Sequence, residues 1–207
     1  MVKKGETLSA TNPLSGGFDA SYDGTPPWDI GRAQREIIKL AQSGILRSDI
    51  LDVGCGTGEN ALYLASLGFN VWGVDAAPKA IAKAQKKSEE KKIATHFESA
   101  DALHLKELNK KFDTLIDCGL FHVFSDEDRS LYVKSLHEAL KPGGRYFLLC
   151  FSDKEPGTWG PRRIKKSELE AAFAKGWKIE TIREAVFETN FDEPIVQAWL
   201  AMIERTE

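Results

Sequence analysis

The chain has 207 residues, of which 42% are hydrophobic and 29% are charged, a composition typical of a globular domain rather than of a disordered or fibrous chain. Its 28 basic and 31 acidic residues give a formal net charge of −3, which offers no general attraction for nucleic acid. The apolar runs are far shorter than the ~20 residues that a membrane span needs, and no apolar stretch follows the first lysines, so we expect no membrane span, no secretory leader and a cytoplasmic location.

The three cysteines, Cys55, Cys118 and Cys150, lie in strand-like or turn-like sequence, and their spacing is not that of a zinc site. A chain of this length buries a full core without disulfides or structural metals. We therefore expect reduced thiols and no bound metal.

The N-terminal part of the sequence is rich in Gly, Ser, Thr and Pro and shows no periodicity. Residues 1–27 are therefore expected to form a flexible segment and a candidate lid, followed by a single domain over residues 28–207. Helical spacing begins after Pro27 with Ile30, and Gly44 is the expected C-terminal cap of this helix.

From residue 45 onward, short β-branched or aromatic runs alternate with helical patterns, which is typical of a parallel sheet built from crossover units. The predicted strands are 50–53, 70–74, 94–98, 112–117, 144–151, 177–189 and 195–203, and the predicted helices are 58–67, 78–91, 103–108, 126–140 and 167–173. Only residues 190–194 separate the last two strands, a connection that suits a hairpin, so one strand near the C-terminus is expected to be antiparallel. The predicted fold class is α/β, a doubly wound seven-stranded sheet.

A glycine-rich turn, in the sequence LDVGCGTGEN at 51–60, follows the first predicted strand and opens a helix. Doubly wound sheets bind nucleotides at such a turn, because glycines let the backbone approach the ligand. The next strand ends near Asp75, about 20 residues further on, the spacing at which an acidic side chain meets ribose hydroxyls. Together the two features predict a nucleotide site.

The loop does not match the sites of the common phosphorylated nucleotides. Gly58 comes one position earlier than the motif Gly-x-Gly-x-x-Gly requires, and Glu59 stands where that motif needs a small residue. A carboxylate there would repel a diphosphate, whereas Asp52 and Glu59 suit a ligand that carries an ammonium group and a sulfonium. The loop also lacks the Gly-Lys-Ser/Thr ending of a nucleoside-triphosphate site. These features favour an adenosine attached to a cation.

Four later segments follow this loop in order: VWGVDAAP at 71–78, SADALHL at 99–105, FDTLIDCGLFHVF at 112–124 and LHEALKPGGRYFLLCFSD at 136–153. The set resembles the motifs of class I S-adenosylmethionine-dependent methyltransferases and covers about residues 45–153. The resemblance implies a Rossmann-like fold, S-adenosylmethionine as the cofactor and methyl transfer as the activity.

Carried over position by position, the resemblance places the methionine part of the cofactor on the backbone of Gly54, Cys55 and Gly56, with Asp52 beneath the loop. It implies that the carbonyl of Cys118 holds the ammonium group. From the residues alone, Cys118 is equally a small core residue.

The resemblance also implies the contacts of the adenosine part. Asp75 would accept from both ribose hydroxyls, and Ala76 would pack on the adenine. Asp101 and Ala102 would read the adenine edge. Outside this context, Asp75 is interpreted as a turn residue and Asp101 as the start of a helix.

The segment TPPWDIGR at 25–32 resembles the Pro-Trp-Asp-x-Gly segment of small-molecule methyltransferases related to thiol, halide, thiopurine and heterocyclic-toxin methyltransferases. The resemblance implies that an N-terminal segment folds over the cofactor and that Trp28 covers the sulfonium. The alternative is that Trp28 staples the first helix to the sheet and Asp29 caps that helix.

Candidate catalytic residues follow from the chemistry of the acceptor. A thiolate or halide needs no base, whereas a hydroxyl or ring nitrogen does, and the candidate base is His122, expected at the mouth beyond the fourth strand. The alternative is a packed or solvated loop histidine. Tyr22 and Asp19 are further candidates for substrate contact or proton removal, and Phe121 and Trp159 are candidates for the substrate pocket.

The sequence thus predicts a methyltransferase that acts on a small heterocyclic or aromatic O, N or S nucleophile, a thiol or a halide, as a monomer or homodimer. Two alternatives stay open: a nicotinamide-dependent oxidoreductase, and a non-catalytic module that binds S-adenosylmethionine.

Overall fold

The computed structural model describes residues 17–206 and contains a seven-stranded sheet with the strand order β3-β2-β1-β4-β5-β7-β6. The strands are β1 Ile50–Val53, β2 Val71–Asp75, β3 His96–Ser99, β4 Phe112–Cys118, β5 Leu140–Phe151, β6 Trp177–Glu188 and β7 Ile195–Arg205. The α-helices are α1 Gly17–Ser21, α2 Arg35–Gln42, α3 Glu59–Ser66, α4 Pro78–Lys91, α5 Asp126–Ala139 and α6 Lys166–Ala172, and short 3₁₀ helices span Ala102–Leu108 and Phe121–Val123. The predicted α/β sheet is confirmed.

The antiparallel strand is β7, which pairs antiparallel with both β5 and β6. One antiparallel strand near the C-terminus is therefore confirmed, and β7 lies inside the sheet while β6 forms its edge. Because β6 runs in the same direction as β1 to β5, its carboxyl end lies at the same edge of the sheet as theirs.

Two element boundaries differ from those predicted by more than two residues. Strand β5 begins at Leu140, because Leu140 pairs with Phe112 and the register then shifts before pairing resumes between Thr114 and Arg145. Helix α2 begins only at Arg35. The preceding residues contain a turn and bends and are held by long-range contacts that periodicity does not reveal.

Those contacts join Gln34 to the end of β6. The Gln34 side-chain amide donates to the Glu188 carbonyl at 2.8 Å and accepts from the Glu188 amide at 2.9 Å. Arg32 adds two hydrogen bonds to the Glu188 carboxylate, at 2.9 and 3.1 Å. The chain before α2 is therefore anchored to the carboxyl edge of the sheet.

The sheet is buried on both faces. Alternate residues of β1 enter different core clusters, Leu51 and Val53 one of them and Ile50 the other. No helix among residues 17–206 is both long enough and apolar enough to span a bilayer.

The chain reverses its winding direction between β1 and β4. Both neighbours of β1 are parallel to it, and Val53 pairs in register with Asp117. The loops after β1 and β4 therefore meet at the topological switch point, where open α/β sheets bind ligands.

Of the segment 1–27 that was expected to be flexible, residues 1–16 lie outside the described residues. Residues 17–27 form α1 and a turn. We name residues 17–34 the N-terminal cover, because they lie over the loop that follows β1.

Candidate functional site

The loop after β1 has a backbone that favours glycine. Gly54, Gly56 and Gly58 have φ values of 72°, 54° and 82°, in the left-handed region. The Gly54 amide donates to the Val74 carbonyl of β2 at 2.8 Å, which holds the start of the turn on the sheet. A Cβ built on Gly54 would lie 3.0 Å from Leu120 Cδ2. Glycine is thus required here by both conformation and space.

Asp75, at the end of β2, holds this loop in place. Its Oδ2 accepts from the Gly56 amide and its Oδ1 from the Ala77 amide, both at 2.9 Å. Burial raises the pKa of Asp75, and the two amides oppose that shift. A carboxylate oxygen with one amide donor still has lone pairs for a ligand hydroxyl.

Asp52, on β1 beneath the loop, is 1% exposed. Among the described residues its Oδ2 has no hydrogen-bond partner. Burial, with the nearby charges of Asp117 and Asp75, raises the pKa of Asp52 to about 8. An unpaired buried carboxylate oxygen is costly unless a positive group compensates it. The ammonium and sulfonium of S-adenosylmethionine are such groups, so the residues present fit this cofactor.

Glu59 does not share that role. Its carboxylate forms ion pairs with Lys87 at 2.7 Å and Lys91 at 3.5 Å. The expected contribution of Glu59 to a cationic ligand is therefore already neutralised by α4, and the electrostatic preference of the loop rests on Asp52.

The residues expected to contact adenine lie at the same edge of the sheet. The Ala100 amide donates to the Asp75 carbonyl at 3.1 Å, which joins the ends of β2 and β3. Asp101 caps the following 3₁₀ helix through the Leu103 amide, at 2.9 Å. Ala76 is exposed there and Ala102 is partly exposed. This cap agrees with the interpretation of Asp101 as the start of a helix. The contact of Asp101 with adenine stays a prediction.

The N-terminal cover places two aromatic side chains over the glycine loop. Tyr22 is 4% exposed, and its hydroxyl accepts from Trp28 Nε1 at 3.1 Å. A Cβ built on Gly56 would lie 3.0 Å from this hydroxyl. Burial raises the pKa of Tyr22 above its usual range, so Tyr22 is a neutral covering group in this arrangement.

Asp29 and Asp19 fasten the cover at two points. Asp29 Oδ2 accepts from the Thr57 hydroxyl at 2.9 Å, so Asp29 binds the glycine loop and does not cap α2, whose N-cap is Gln34. Asp19 Oδ1 accepts from the Lys79 amide at 2.8 Å, in the first turn of α4. Asp19 is thus placed outside the space between the cover and the loop.

A cleft remains between the cover, the glycine loop and β4, with a volume of about 60 Å³. We name it the cleft; its lining includes Tyr22, Trp28, residues 54–57, Asn60, Cys118 and Phe187. Small-molecule sites commonly enclose ~300–1,000 Å³. The cleft is therefore narrow in this structure.

Two predicted site residues in the loop after β4 are buried. His122 is 4% exposed, so it does not lie at the mouth. Its Nδ1 accepts from the Phe151 amide at 3.0 Å, and its ring also makes a backbone hydrogen bond with Gly119. Burial and the charge of Arg163 lower the pKa of His122 to about 3. The geometry matches the packed-histidine alternative.

Phe121, expected in the substrate pocket, is fully buried in the core instead. Its ring stacks on Phe173 with a centroid distance of 5.9 Å, and the Arg129 guanidinium lies 4.7 Å from its ring centroid. Neighbouring residues of this loop thus enter different sides of the molecule, which sequence position alone does not show.

An aromatic wall borders the cleft at the carboxyl ends of β5 and β6. Phe187 lines the cleft and packs edge-to-face on Phe151, with ring centroids 5.3 Å apart. Trp159 packs on Phe151 at 5.5 Å and on Phe191 at 5.5 Å. Trp159 therefore joins this aromatic cluster through Phe151 and Phe191. We name the four rings of Phe151, Trp159, Phe187 and Phe191 the aromatic wall.

Sequence reasoning missed Phe187 and Asp117. Both lie at or next to the last residue of a strand that ends at the ligand-binding edge, which is the signal that points to them. Asp117 is fully buried and accepts four hydrogen bonds.

Cys55, Cys118 and Cys150 are free thiols. Burial raises the pKa of the Cys118 thiol, which lines the cleft, well above its usual value. Within residues 17–206 no group of His, Cys, Asp and Glu side chains has the arrangement of a metal site.

Residues 50–144 match the family model of the methyltransferase domain. The chain is 36% identical over 193 residues to the 2-heptyl-1-hydroxyquinolin-4(1H)-one methyltransferase of Mycobacteroides abscessus, covering 88% of this chain and 85% of that protein. It is 31% identical over 159 residues to the probable thiol methyltransferase 2 of Arabidopsis thaliana, covering 75% of this chain and 70% of that protein.

A similar solved structure comes from work on the conversion of a disulfide bond into a thioacetal group during echinomycin biosynthesis. It superposes with a TM-score of 0.84 at 36% sequence identity, and 91% of each chain is covered.

Proposed function

The chain belongs to the S-adenosylmethionine-dependent methyltransferases, and we propose that it methylates a small aromatic or thiol acceptor that reaches the cleft as a preformed anion. The nicotinamide-dependent alternative finds no support in these similarities. The cytoplasmic location and the monomeric or homodimeric state stay predictions.

One observation carries the proposal: the two acidic side chains that line the cleft, Asp29 and Glu59, already have protein partners. Asp29 accepts from Thr57, Glu59 is paired with Lys87, and both sides of the His122 ring contact backbone. A general base must be within hydrogen-bond reach of the proton that it removes and have a free lone pair. Both ring nitrogens of His122 are occupied, and a proton from the acceptor would have to compete with the protein partners that Asp29 and Glu59 already hold. The acceptor therefore brings its own nucleophilic charge.

The similar enzymes are consistent with this chemistry. One is named for an N-hydroxyquinolinone and one for thiols. An N-hydroxyl and a thiol both lose a proton far more readily than an alcohol does, and the thiolate is the reactive form of a thiol. Acceptors of this kind can attack as anions without a protein base.

The aromatic wall supports an acceptor with a flat ring. Phe187 presents its ring to the cleft, and Phe151 and Trp159 pack behind it. Offset or edge-to-face contacts with such rings orient a planar ligand.

The remaining groups bind and orient. S-adenosylmethionine, when bound, supplies an electrophilic methyl group. The glycine loop and Asp75 would hold the methionine and ribose parts, with Asp52 compensating the positive charge. Tyr22 and Trp28 exclude water from above, and the aromatic wall aligns the acceptor for in-line displacement.

A matched pair of acceptors tests the proposal. Purified protein is incubated with S-adenosylmethionine and either 2-heptyl-1-hydroxyquinolin-4(1H)-one or 2-heptylquinolin-4(1H)-one, which lacks only the N-hydroxyl, and products are measured by mass spectrometry. We expect methylation of the first and little of the second. Two aryl thiols of different acidity are then compared, and the midpoint of the pH–rate profile should move with the pKa of the acceptor. A common midpoint for all acceptors would show that a protein group removes the proton.

A further inference from the structure

Asp117 is a buried carboxylate at the topological switch point that neither the cofactor contacts nor the acceptor proposal uses. It lies on β4 directly opposite Val53, the residue before Gly54. Its side chain is fully buried. A buried carboxylate at the ligand-binding edge of a sheet is costly, so its surroundings show what keeps it there.

Four donors surround this carboxylate. Oδ1 accepts from the Leu120 amide at 2.8 Å, and Oδ2 accepts from the Phe121 amide at 3.1 Å. Oδ2 also accepts from the hydroxyls of Tyr132, at 2.9 Å, and Tyr146, at 2.8 Å. The two tyrosines belong to α5 and β5, so one side chain joins three elements and the loop after β4.

The arrangement favours the ionised form. The two backbone amides can only donate, and with both tyrosine hydroxyls donating as well, four donors on two oxygens satisfy a carboxylate. Burial raises the pKa of Asp117 to about 6, and the four donors limit that rise. The group therefore carries a negative charge at neutral pH, on the strand next to Asp52.

Asp117 is connected to the glycine loop through Leu120. The amide that Oδ1 binds belongs to Leu120, and the Leu120 side chain lies so close to Gly54 that an added Cβ there would be 3.0 Å from Leu120 Cδ2. Between Asp117 and Leu120 lie Cys118, which lines the cleft, and Gly119, whose φ is 93°. The position of this short segment is thus set by the carboxylate.

We propose that Asp117 is a positioning residue: its ionised carboxylate fixes the segment 118–121 against the glycine loop, and its charge favours the cationic cofactor S-adenosylmethionine over the product S-adenosylhomocysteine. The two ligands differ by one methyl group and by the positive charge on sulfur. The proposal depends on the cofactor site and not on the nature of the acceptor, so it survives if the acceptor proposal fails.

The test compares Asp117→Asn with Tyr146→Phe. The first variant removes the charge and replaces one acceptor oxygen by a donor, whereas the second removes a single donor and keeps the charge. Dissociation constants for S-adenosylmethionine and S-adenosylhomocysteine are measured by calorimetry near pH 8, without acceptor. Amide hydrogen exchange of Leu120 and Phe121 is followed by NMR, and melting temperatures confirm that each variant is folded.

For Asp117→Asn we expect faster exchange at both amides and about a tenfold loss of affinity for both ligands. The ratio of affinities should shift towards S-adenosylhomocysteine by a further threefold or so. Tyr146→Phe should leave that ratio unchanged. An unchanged ratio in Asp117→Asn, or an equal shift in Tyr146→Phe, would overturn the proposal, because a purely structural role moves both affinities together.

If Asp117→Asn does not fold, the double variant Tyr132→Phe/Tyr146→Phe tests whether the carboxylate or the tyrosines hold the segment 118–121. It leaves the carboxylate with its two amide donors, so we expect wild-type protection of Leu120 and an unchanged affinity ratio. Loss of Leu120 protection in this variant would show that the tyrosines, and not the carboxylate, hold the segment.

Discussion

The Leu120 side chain packs so closely on Gly54 that a Cβ built on the glycine would lie 3.0 Å from Leu120 Cδ2. The loops after β1 and β4 are therefore in direct contact at the point where the cofactor is expected. A side chain at Gly54 would crowd the side chain of Leu120, whose amide Asp117 holds.

Gly54→Ala should therefore weaken cofactor binding as well as the fold. We expect a loss of stability above the ~1–2 kcal/mol that a left-handed alanine costs, and about a hundredfold lower affinity for S-adenosylhomocysteine, as for a misplaced binding loop. Calorimetry and thermal unfolding measure the two effects.

Gly44→Ala is the matched control. Gly44 has φ 71°, against 72° for Gly54, and nothing lies within 4 Å of its added Cβ. This variant carries the conformational cost alone, so ligand affinity should be unchanged. Equal loss of affinity in both variants would mean that the contact with Leu120 has no part in binding.

The pH dependence of binding should report on Asp52. Burial raises the pKa of Asp52 to about 8 in the folded protein, from an ordinary carboxyl value near 4. The folded state thus binds a proton that the unfolded state has released, and Asp52 lowers stability as pH rises from about 4 to 8. A cationic ligand favours the ionised form, so affinity for S-adenosylmethionine should rise with pH by up to about tenfold per unit below the folded pKa.

Calorimetry in buffers of different ionisation enthalpy measures the proton released on binding. Near pH 7 we expect proton release when S-adenosylmethionine binds and less proton release when S-adenosylhomocysteine binds. In Asp52→Asn the contribution of this carboxyl group to proton release should be absent. Proton uptake on binding S-adenosylmethionine, or release that persists in the variant, would contradict the assignment.

The sequence predicted the parts of the site that depend on local pattern. Gly54, Gly56 and Asp75 are predicted because a nucleotide-binding turn needs glycine and because the following strand delivers its last residue to the same edge, and the structure brings them together there. The strand pattern likewise predicted the α/β sheet and the antiparallel β7.

The parts that sequence reasoning missed depend on long-range partners. Glu59 is paired with Lys87, which is brought near it only by the packing of α4. Asp117 is held by tyrosines from α5 and β5. His122 is buried, and its ring accepts from the Phe151 amide of β5. None of these contacts leaves a periodic signal in the chain.

His122→Asn tests whether this histidine acts as a base or as a packing residue. The substitution weakens or removes the acceptor of the Phe151 amide, and leaving a buried amide unpaired costs about 1–3 kcal/mol. We expect lower stability and an equal slowing of thiol and N-hydroxyl acceptors, because neither relies on the imidazole. Rates at saturating acceptor, with thermal unfolding in parallel, check this.

His96→Asn is the control, because His96 is exposed on β3 and its ring nitrogen contacts Glu98. It should leave the rate unchanged, and its stability is measured in parallel because the His96 ring also packs on Trp72 with centroids 3.9 Å apart. If His122→Asn slowed only the N-hydroxyl acceptor and spared the thiol, His122 would be the general base after all.

Phe187→Leu tests the aromatic wall as the acceptor side of the cleft. Leucine keeps an apolar side chain of similar reach but has no ring to orient a flat ligand, and an aromatic contact contributes about 0.5–1.5 kcal/mol beyond area burial. We expect KM for the hydroxyquinolinone to rise about 3- to 10-fold. The dissociation constant for S-adenosylhomocysteine and the kcat/KM for a small alkyl thiol should stay near wild type, because neither ligand needs the ring.

Phe69→Leu supplies the matched control, since Phe69 is a partly exposed residue before β2 and packs on the core away from the lining of the cleft. Its effect on KM should be negligible. If both acceptors lost activity equally in Phe187→Leu while the cofactor still bound, Phe187 would shape the cleft in general and not select an aromatic acceptor. A hydroxyquinolinone KM that did not change would place the acceptor ring elsewhere, and the wall would then serve only to close the core at the ends of β5 and β6.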